Sequence, residues 1–69
     1  MAVKQTISEH ERYRRLRGLS ITELARAINR SRPYVSRVEG GYEKPSADYR
    51  AAVARVLEVD EKLIFGEPR

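Results

Sequence analysis

Apolar residues recur along this chain at helical spacing, in short groups separated by glycine, asparagine or proline. Leu24, Ala25 and Ile28 form one apolar stripe, while Val35 and Val38 begin a second, three residues apart. A longer stripe with the same period consists of Tyr49, Ala52, Val53, Val56 and Leu57. No segment alternates apolar and polar residues as a half-buried strand would. We therefore predict an all-α fold in which five helices pack around one core.

Capping residues mark where these helices begin and end. Serine and aspartate side chains accept hydrogen bonds from the unpaired amides of a first helical turn. Candidate caps precede the five predicted helices: Ser8, Ser20, Ser31, Ser46 and Asp60. Glu11 and Glu23 follow the first two serines at the spacing of a capping box. Gly18, Asn29 and the pair Gly40-Gly41 suit the left-handed conformation that commonly ends a helix.

The first helix is polar and rich in arginine, as is typical of an exposed helix. Its two large apolar residues, Tyr13 and Leu16, lie three positions apart, so we predict that both face the core. His10, the only histidine, lies near the start of the same helix. Because no cysteine or second histidine accompanies it, we expect a solvated surface residue with no catalytic or metal-binding role.

The length of 69 residues is enough for one small domain. We divide it into an amino-terminal arm over residues 1–7, a helix pair over about 20–41 and a tail over 66–69. The chain contains no cysteine, and no apolar run is long enough for a signal peptide or a membrane span. We therefore expect a soluble cytoplasmic protein that uses no cofactor and no metal.

The net charge of +4 is unevenly distributed. Residues 12–37 contain eight arginines and one acid, Glu23, whereas residues 46–69 contain four basic residues and five acids. Such an asymmetry indicates a polyanionic partner, with nucleic acid the first candidate and an anionic membrane the second. A solvated charged face is the simpler alternative. A membrane fits poorly, because no broad aromatic or leucine face accompanies the arginines.

The helix pair over residues 20–41 has a turn of only about three residues, so its helices are expected to cross steeply. Ala25 allows the two helices to approach closely, and Val35 and Val38 are used for packing. The remaining residues of the second helix are left on its outside: Ser31, Arg32, Pro33, Tyr34, Ser36 and Arg37.

This arrangement resembles the helix-turn-helix family of phage repressors and Cro proteins, the XRE family. The matching features, in order, are Leu24-Ala25, Ile28, the turn at Asn29, Val35, Val38-Glu39-Gly40-Gly41, Pro45 and the closing segment 57–66. The resemblance implies a compact five-helix, lambda-repressor-like DNA-binding domain whose third helix lies in the major groove. Many relatives have glutamine at the first position of the second helix, where this chain has Ile21, and glycine where it has Asn29.

The resemblance leads to two sets of expected DNA contacts, one carried over position by position within the motif and one drawn from the residues around it. The residues expected to read bases are Ser31, Arg32, Pro33, Ser36 and Arg37. The residues expected at phosphates are Arg14, Arg30, Tyr34, the amide near Gly40, Tyr42 and Lys44. The ring of Tyr34 can instead pack inward. The family also implies an ion pair in which Glu39 aims Arg14 at a phosphate.

Dimers of this family read near-palindromic sites, so we expect a homodimer bound to double-stranded DNA. Leu63, Ile64 and Phe65 on the fifth helix either form the dimer surface or close the core of the monomer. The main alternative function is an antitoxin or antirepressor role, in which the same fold binds another regulatory protein. An enzyme is not expected, because the chain contains no glycine-rich phosphate loop and no carboxylate pair.

Overall fold

Five short α-helices make up the part of the chain that the computed structural model describes, residues 8–66. They are α1 (Glu9–Leu16), α2 (Ile21–Ala27), α3 (Arg32–Glu39), α4 (Ala47–Leu57) and α5 (Glu61–Phe65). The predicted all-α architecture is therefore confirmed. The predicted arm over residues 1–7 and residues 67–69 of the predicted tail lie outside the described residues.

The predicted caps are confirmed at all five of these helices. The side chains of Ser8, Ser20, Ser31 and Ser46 each accept the amide three residues on, and Asp60 accepts the amide of Lys62. At Ser20 the capping box is complete, because Glu23 also accepts the Ser20 amide at 2.7 Å. At α1, by contrast, the carboxylate of Glu11 pairs with Arg15. The helix boundaries thus follow from hydrogen bonds within a few residues of each end.

The stops of the first three helices also adopt the predicted conformation. Gly18, Asn29 and Gly41 have φ angles of 71°, 59° and 85°. After each of them the chain closes a Schellman motif, in which two amides bond back to carbonyls of the last helical turn. Asparagine is one of the few residues other than glycine that tolerates this conformation, so α2 ends without glycine.

The core is built mainly from α2, α3 and α4, and α5 packs against both α1 and α4. Its buried apolar residues are Leu24, Ala25, Val35, Val38, Tyr49, Val53, Leu57 and Ile64. Tyr13, Ile28 and Val56 pack partly against this cluster. The stripes read from the sequence in α2, α3 and α4 therefore face one common interior.

Two expectations about α1 are wrong. Leu16 is 68% exposed, and His10 is buried with only 4% of its surface accessible. The inward face of α1 consists of His10, Tyr13 and Arg14, at spacings of three and four residues. Leu16 is turned by about 200° from Arg14 around the helix axis, so it points to solvent. The inner face of α1 is thus largely polar, and its polar groups are satisfied by partners from other helices.

Candidate nucleic-acid interface

The junction between α2 and α3 holds the start of α3 in a set position. Ala25 of α2 and Val35 of α3 are both buried in the common core, where a small side chain allows two helices to approach closely. In the turn between them, the amide of Arg30 donates to the carbonyl of Ala25 at 2.9 Å, past Asn29 in its left-handed conformation. This local geometry ends α2, and α3 begins after a connection over residues 28–31.

The outer face of α3 carries the residues that the resemblance assigns to base reading. Ser31, Arg32, Pro33, Ser36 and Arg37 are all exposed. Val35 and Val38 lie in the core, and the helical period turns these five positions outward. The hydroxyl of Ser31 also accepts the amide of Tyr34 at 3.2 Å, so this residue caps the helix as well.

The two arginines on this face differ in their protein contacts. The Nε of Arg37 donates to Oε1 of Glu43, in the loop after α3, at 2.9 Å. Its two Nη groups make no hydrogen bond within residues 8–66. Arg32, the first residue of α3, has no hydrogen bond or ion pair to any residue of the described segment. Both guanidinium groups therefore keep donors that an external acceptor can use.

A buried polar network links the end of α3 to α1 and α4. Glu39 accepts two hydrogen bonds from Arg14, from Nε at 2.8 Å and from Nη2 at 3.1 Å. The third nitrogen of that guanidinium, Nη1, donates to the carbonyl of Leu19 at 2.7 Å. The ring of His10 connects Glu39 to Tyr49, with Nδ1 2.9 Å from Glu39 Oε2 and Nε2 2.7 Å from the hydroxyl of Tyr49. The network thus ties three helices together through fully hydrogen-bonded side chains.

These contacts decide the charge states within the network. Burial by itself would raise the pKa of Glu39, but the hydrogen bonds from His10 and Arg14 outweigh it and lower this pKa to about 2. Burial raises the pKa of the Tyr49 hydroxyl, and the charge of Glu39 adds to the rise. The hydrogen bond to Glu39 likewise raises the pKa of Arg14. At neutral pH the network therefore contains an ionised Arg14–Glu39 pair beside a neutral tyrosine.

Sequence reasoning missed His10 as a member of this network. One signal was present, because His10 lies three and four residues before Tyr13 and Arg14, on the same helix face. That signal was insufficient, since the partners of its two nitrogens, Glu39 and Tyr49, are 29 and 39 residues away along the chain.

Two of the groups expected at phosphates, the guanidinium of Arg14 and the amide of Gly40, have hydrogen-bond partners within the protein. Arg14 is only 8% exposed and directs its guanidinium at Glu39 and Leu19, so the structure does not present it to a ligand at the surface. The amide of Gly40 donates to the carbonyl of Ser36 at 2.9 Å. It also lies at the carboxyl end of α3, where the helix dipole is negative and disfavours an anion. The expected phosphate contact of the amide near Gly40 stays a prediction, which this geometry does not favour.

The other residues expected at phosphates remain accessible. Arg30, Tyr42 and Lys44 are exposed. Tyr34 is half-buried, and its ring lies edge-on to that of Tyr49, with 5.2 Å between the ring centroids. The ring of Tyr34 thus packs inward, which is one of the two roles considered for this residue.

The three residues of α5 that were considered for a dimer surface have different environments. Ile64 is buried in the core, and Phe65 is half-buried with its ring 5.9 Å from that of His10. Leu63 is 53% exposed. The core of the monomer therefore includes Ile64 and part of Phe65, while Leu63 stays at the surface. Within residues 8–66 no helix has both the length and the apolar character needed to cross a bilayer.

Comparison with known families agrees with the geometry of α2 and α3. A family model described as a helix-turn-helix domain matches residues 11–64, which include all of α2, α3 and α4. The chain belongs to this helix-turn-helix domain family. Its similarity to individual proteins extends over fewer residues than the match to the family model.

Two proteins of Mycobacterium tuberculosis, from strains CDC 1551 / Oshkosh and ATCC 25618 / H37Rv, resemble this helix-turn-helix domain. Each is 38% identical to it over 47 residues, which is 68% of this chain. Both are described as uncharacterised HTH-type transcriptional regulators. The chain spans about a third, 34%, of the length of these relatives.

Within the helix-turn-helix domain, Ile21 at the start of α2 is half-buried and packs against the core. Its side chain has no hydrogen-bonding group. Where many members of the phage repressor and Cro family have glutamine, this chain therefore has an apolar side chain that packs against the core.

Proposed function

We propose that this helix-turn-helix domain binds double-stranded DNA, sequence-specifically, as the DNA-binding part of a transcriptional regulator of the phage repressor and Cro (XRE) type. The observation that carries the proposal is the division of α3 into two faces. Val35 and Val38 anchor the helix in the core, while Arg32 and Arg37 stay on its outer face with free donors. The family membership and the names of the relatives support the same function.

In the proposed complex, the amino-terminal part of α3 enters the major groove. Arg37 is the main candidate for base reading, because its Nη groups match the O6 and N7 acceptors of guanine. Ser31, Arg32, Pro33 and Ser36 lie along the same edge. Arg30, Tyr42, Lys44 and the hydroxyl of Tyr34 are the candidates for phosphate contacts, which position the domain without reading sequence.

The buried network contributes indirectly to this function. Glu39 ends α3, and its bonds to Arg14 and His10 fix that end relative to α1. We therefore assign Arg14 a supporting role in holding α3, in place of a direct contact with phosphate.

The proposal is tested by selecting bound sites from random duplexes and then measuring affinity for the enriched duplex. Arg37→Lys keeps the charge but loses the two-pronged donor, so we expect a loss of about 1–3 kcal/mol in discrimination at one base pair. The slope of log affinity against log salt should stay unchanged, since the substitution alters neither the net charge nor the residues proposed at phosphates. Failure to enrich any sequence would contradict sequence-specific binding. A flat salt response would favour the antitoxin or antirepressor alternative.

We further propose that the domain binds its site as a homodimer, with two copies of α3 about 34 Å apart, one turn of DNA. Leu63 is the apolar residue of α5 that remains available for self-association. Sedimentation equilibrium across concentrations, with and without the selected duplex, tests this proposal. A species that stays monomeric on the duplex at high concentration would contradict it.

A further inference from the structure

The arginines of residues 8–66 fall into two groups according to their partners. Six form ion pairs with carboxylates: Arg12, Arg14, Arg15, Arg17, Arg37 and Arg50. The other four have no carboxylate within 4.0 Å in the described part of the chain: Arg26, Arg30, Arg32 and Arg55. The domain thus neutralises most of its arginines internally and leaves a small set uncompensated.

Three of the four uncompensated arginines line one groove. This groove, of about 330 Å³, lies where the outer side of α2 meets the start of α3, and is lined by Thr22, Ala25, Arg26, Asn29, Arg30 and Arg32. No carboxylate is among these lining residues. Mutual repulsion of like charges disfavours such clustering in the free domain, so the groove is suited to an anion.

We propose that this arginine groove holds phosphate groups of the DNA backbone, with Arg26 as a phosphate-binding residue beyond those on α3 and its flanks. This inference rests on the proposed function. Arg32 connects the two surfaces, because it is both the first residue of α3 and a wall of the groove. A duplex seated against the exposed face of α3 therefore lies next to the groove.

The lining favours a phosphate over an acidic peptide. Apart from the arginines, the groove offers the polar side chains of Thr22 and Asn29, and its apolar lining residue, Ala25, is buried to 4% accessibility. A peptide groove would be expected to offer apolar pockets for side chains. Guanidinium groups alone suffice for phosphate oxygens, which they bind through charge-assisted hydrogen bonds.

The test compares Arg26→Ala with Arg55→Ala. Both variants remove one exposed, uncompensated arginine from a helix and change the net charge equally, but Arg55 lies on α4 and is not part of the groove. Affinity is measured across salt concentrations for a random-sequence duplex and for the selected duplex. Loss of one phosphate contact should reduce the slope of log affinity against log salt by about 0.9. For two proteins with equal affinity at about 1 M salt, this difference in slope makes the variant bind about eight-fold more weakly at about 0.1 M salt. We expect this change for Arg26→Ala on both duplexes, and no change in slope for Arg55→Ala.

Arg26→Lys and Arg26→Gln complete the series, since both keep a long side chain that is compatible with a helix. Lysine should restore the wild-type slope, and glutamine should behave like alanine. Wild-type slopes for Arg26→Ala and Arg26→Gln would overturn the inference, as would a loss confined to the selected duplex, which indicates base reading. These results leave the proposed function intact, whereas absence of any salt-dependent DNA binding by the wild-type domain would overturn both.

Discussion

Glu39→Gln removes the charge at the centre of the buried network while keeping the shape of the side chain. In the wild-type domain, Glu39 faces the guanidinium of Arg14 and the ring of His10, and its side chain is 7% exposed. The glutamine amide is uncharged, so it cannot neutralise Arg14. Its NH₂ group takes the place of a carboxylate oxygen that accepted hydrogen bonds in the wild type, and it therefore faces a donor without being able to accept. The variant therefore leaves Arg14 buried without its counter-charge.

The magnitude of this loss follows from the pKa of Glu39. Lowering this pKa from 4.5 to about 2 corresponds to about 3 kcal/mol of stability at neutral pH. Removing one partner of a buried ion pair costs about 3–5 kcal/mol in other proteins. A domain of this length has a total free energy of unfolding of about 3–10 kcal/mol. We therefore expect Glu39→Gln to lose much of the stability of the domain at pH 7.

The pH dependence has a definite sign. The pKa of Glu39 is lower in the folded state than in the unfolded state, so its stabilisation is complete above about pH 5 and is lost as the pH falls toward 2. The other carboxylates are the same in both proteins. The difference in the free energy of unfolding between wild type and Glu39→Gln should consequently shrink from about 3 kcal/mol at pH 7 to below about 1 kcal/mol at pH 2.

Urea unfolding followed by circular dichroism, repeated between pH 7 and pH 2, measures this difference. Glu58→Gln is the matched control, because Glu58 pairs with Arg17 at 3.4 Å but is 73% exposed. Exposed ion pairs contribute at most about 1 kcal/mol, so this control should stay close to wild type. A loss below about 1 kcal/mol for Glu39→Gln at pH 7, or a difference that does not change with pH, would refute the reasoning.

Two further predictions concern the loop after α3 and the orientation of α1. Glu43→Ala removes the oxygen that accepts the Nε of Arg37, so the base preference assigned to Arg37 should weaken in a selection from random duplexes, with thermal stability unchanged; an unaltered preference would show that Glu43 does not position Arg37. Leu16→Ala truncates an exposed side chain and should cost less than about 0.5 kcal/mol in urea unfolding, whereas Leu24→Ala in the core should cost about 2–5 kcal/mol. Similar losses at the two positions would contradict the orientation of α1.

Helix boundaries were predictable from the sequence because capping is local. Each cap at Ser8, Ser20, Ser31 and Ser46 bonds to an amide three residues away. At each left-handed helix end, the backbone amides bond to carbonyls of the preceding turn. The apolar stripes of α2, α3 and α4 were predictable for a related reason. Several apolar residues at helical spacing leave only one face that can be buried.

The orientation of α1 depended on contacts that are distant along the chain. This helix has too few apolar residues to define a face by pattern, and its inner face is set by His10 and Arg14. Those polar side chains are buried only because Glu39 and Tyr49, from α3 and α4, complete their hydrogen bonds. Burying such groups without partners would be costly, so no pattern within α1 could reveal their position.

The candidate interface likewise has some features that the sequence pattern determines and others that depend on the tertiary structure. The outward position of Arg32 and Arg37 follows from the inward position of Val35 and Val38, which the helical period already specifies. Which arginines remain available to a ligand is a different matter, because it depends on where each carboxylate lies. Folding pairs Arg37 with Glu43 and buries Arg14 against Glu39, yet leaves Arg26 uncompensated in a shared groove. Composition gives the number of charges, whereas ion pairs such as Arg14–Glu39 and Arg17–Glu58 form only when the fold brings distant side chains together.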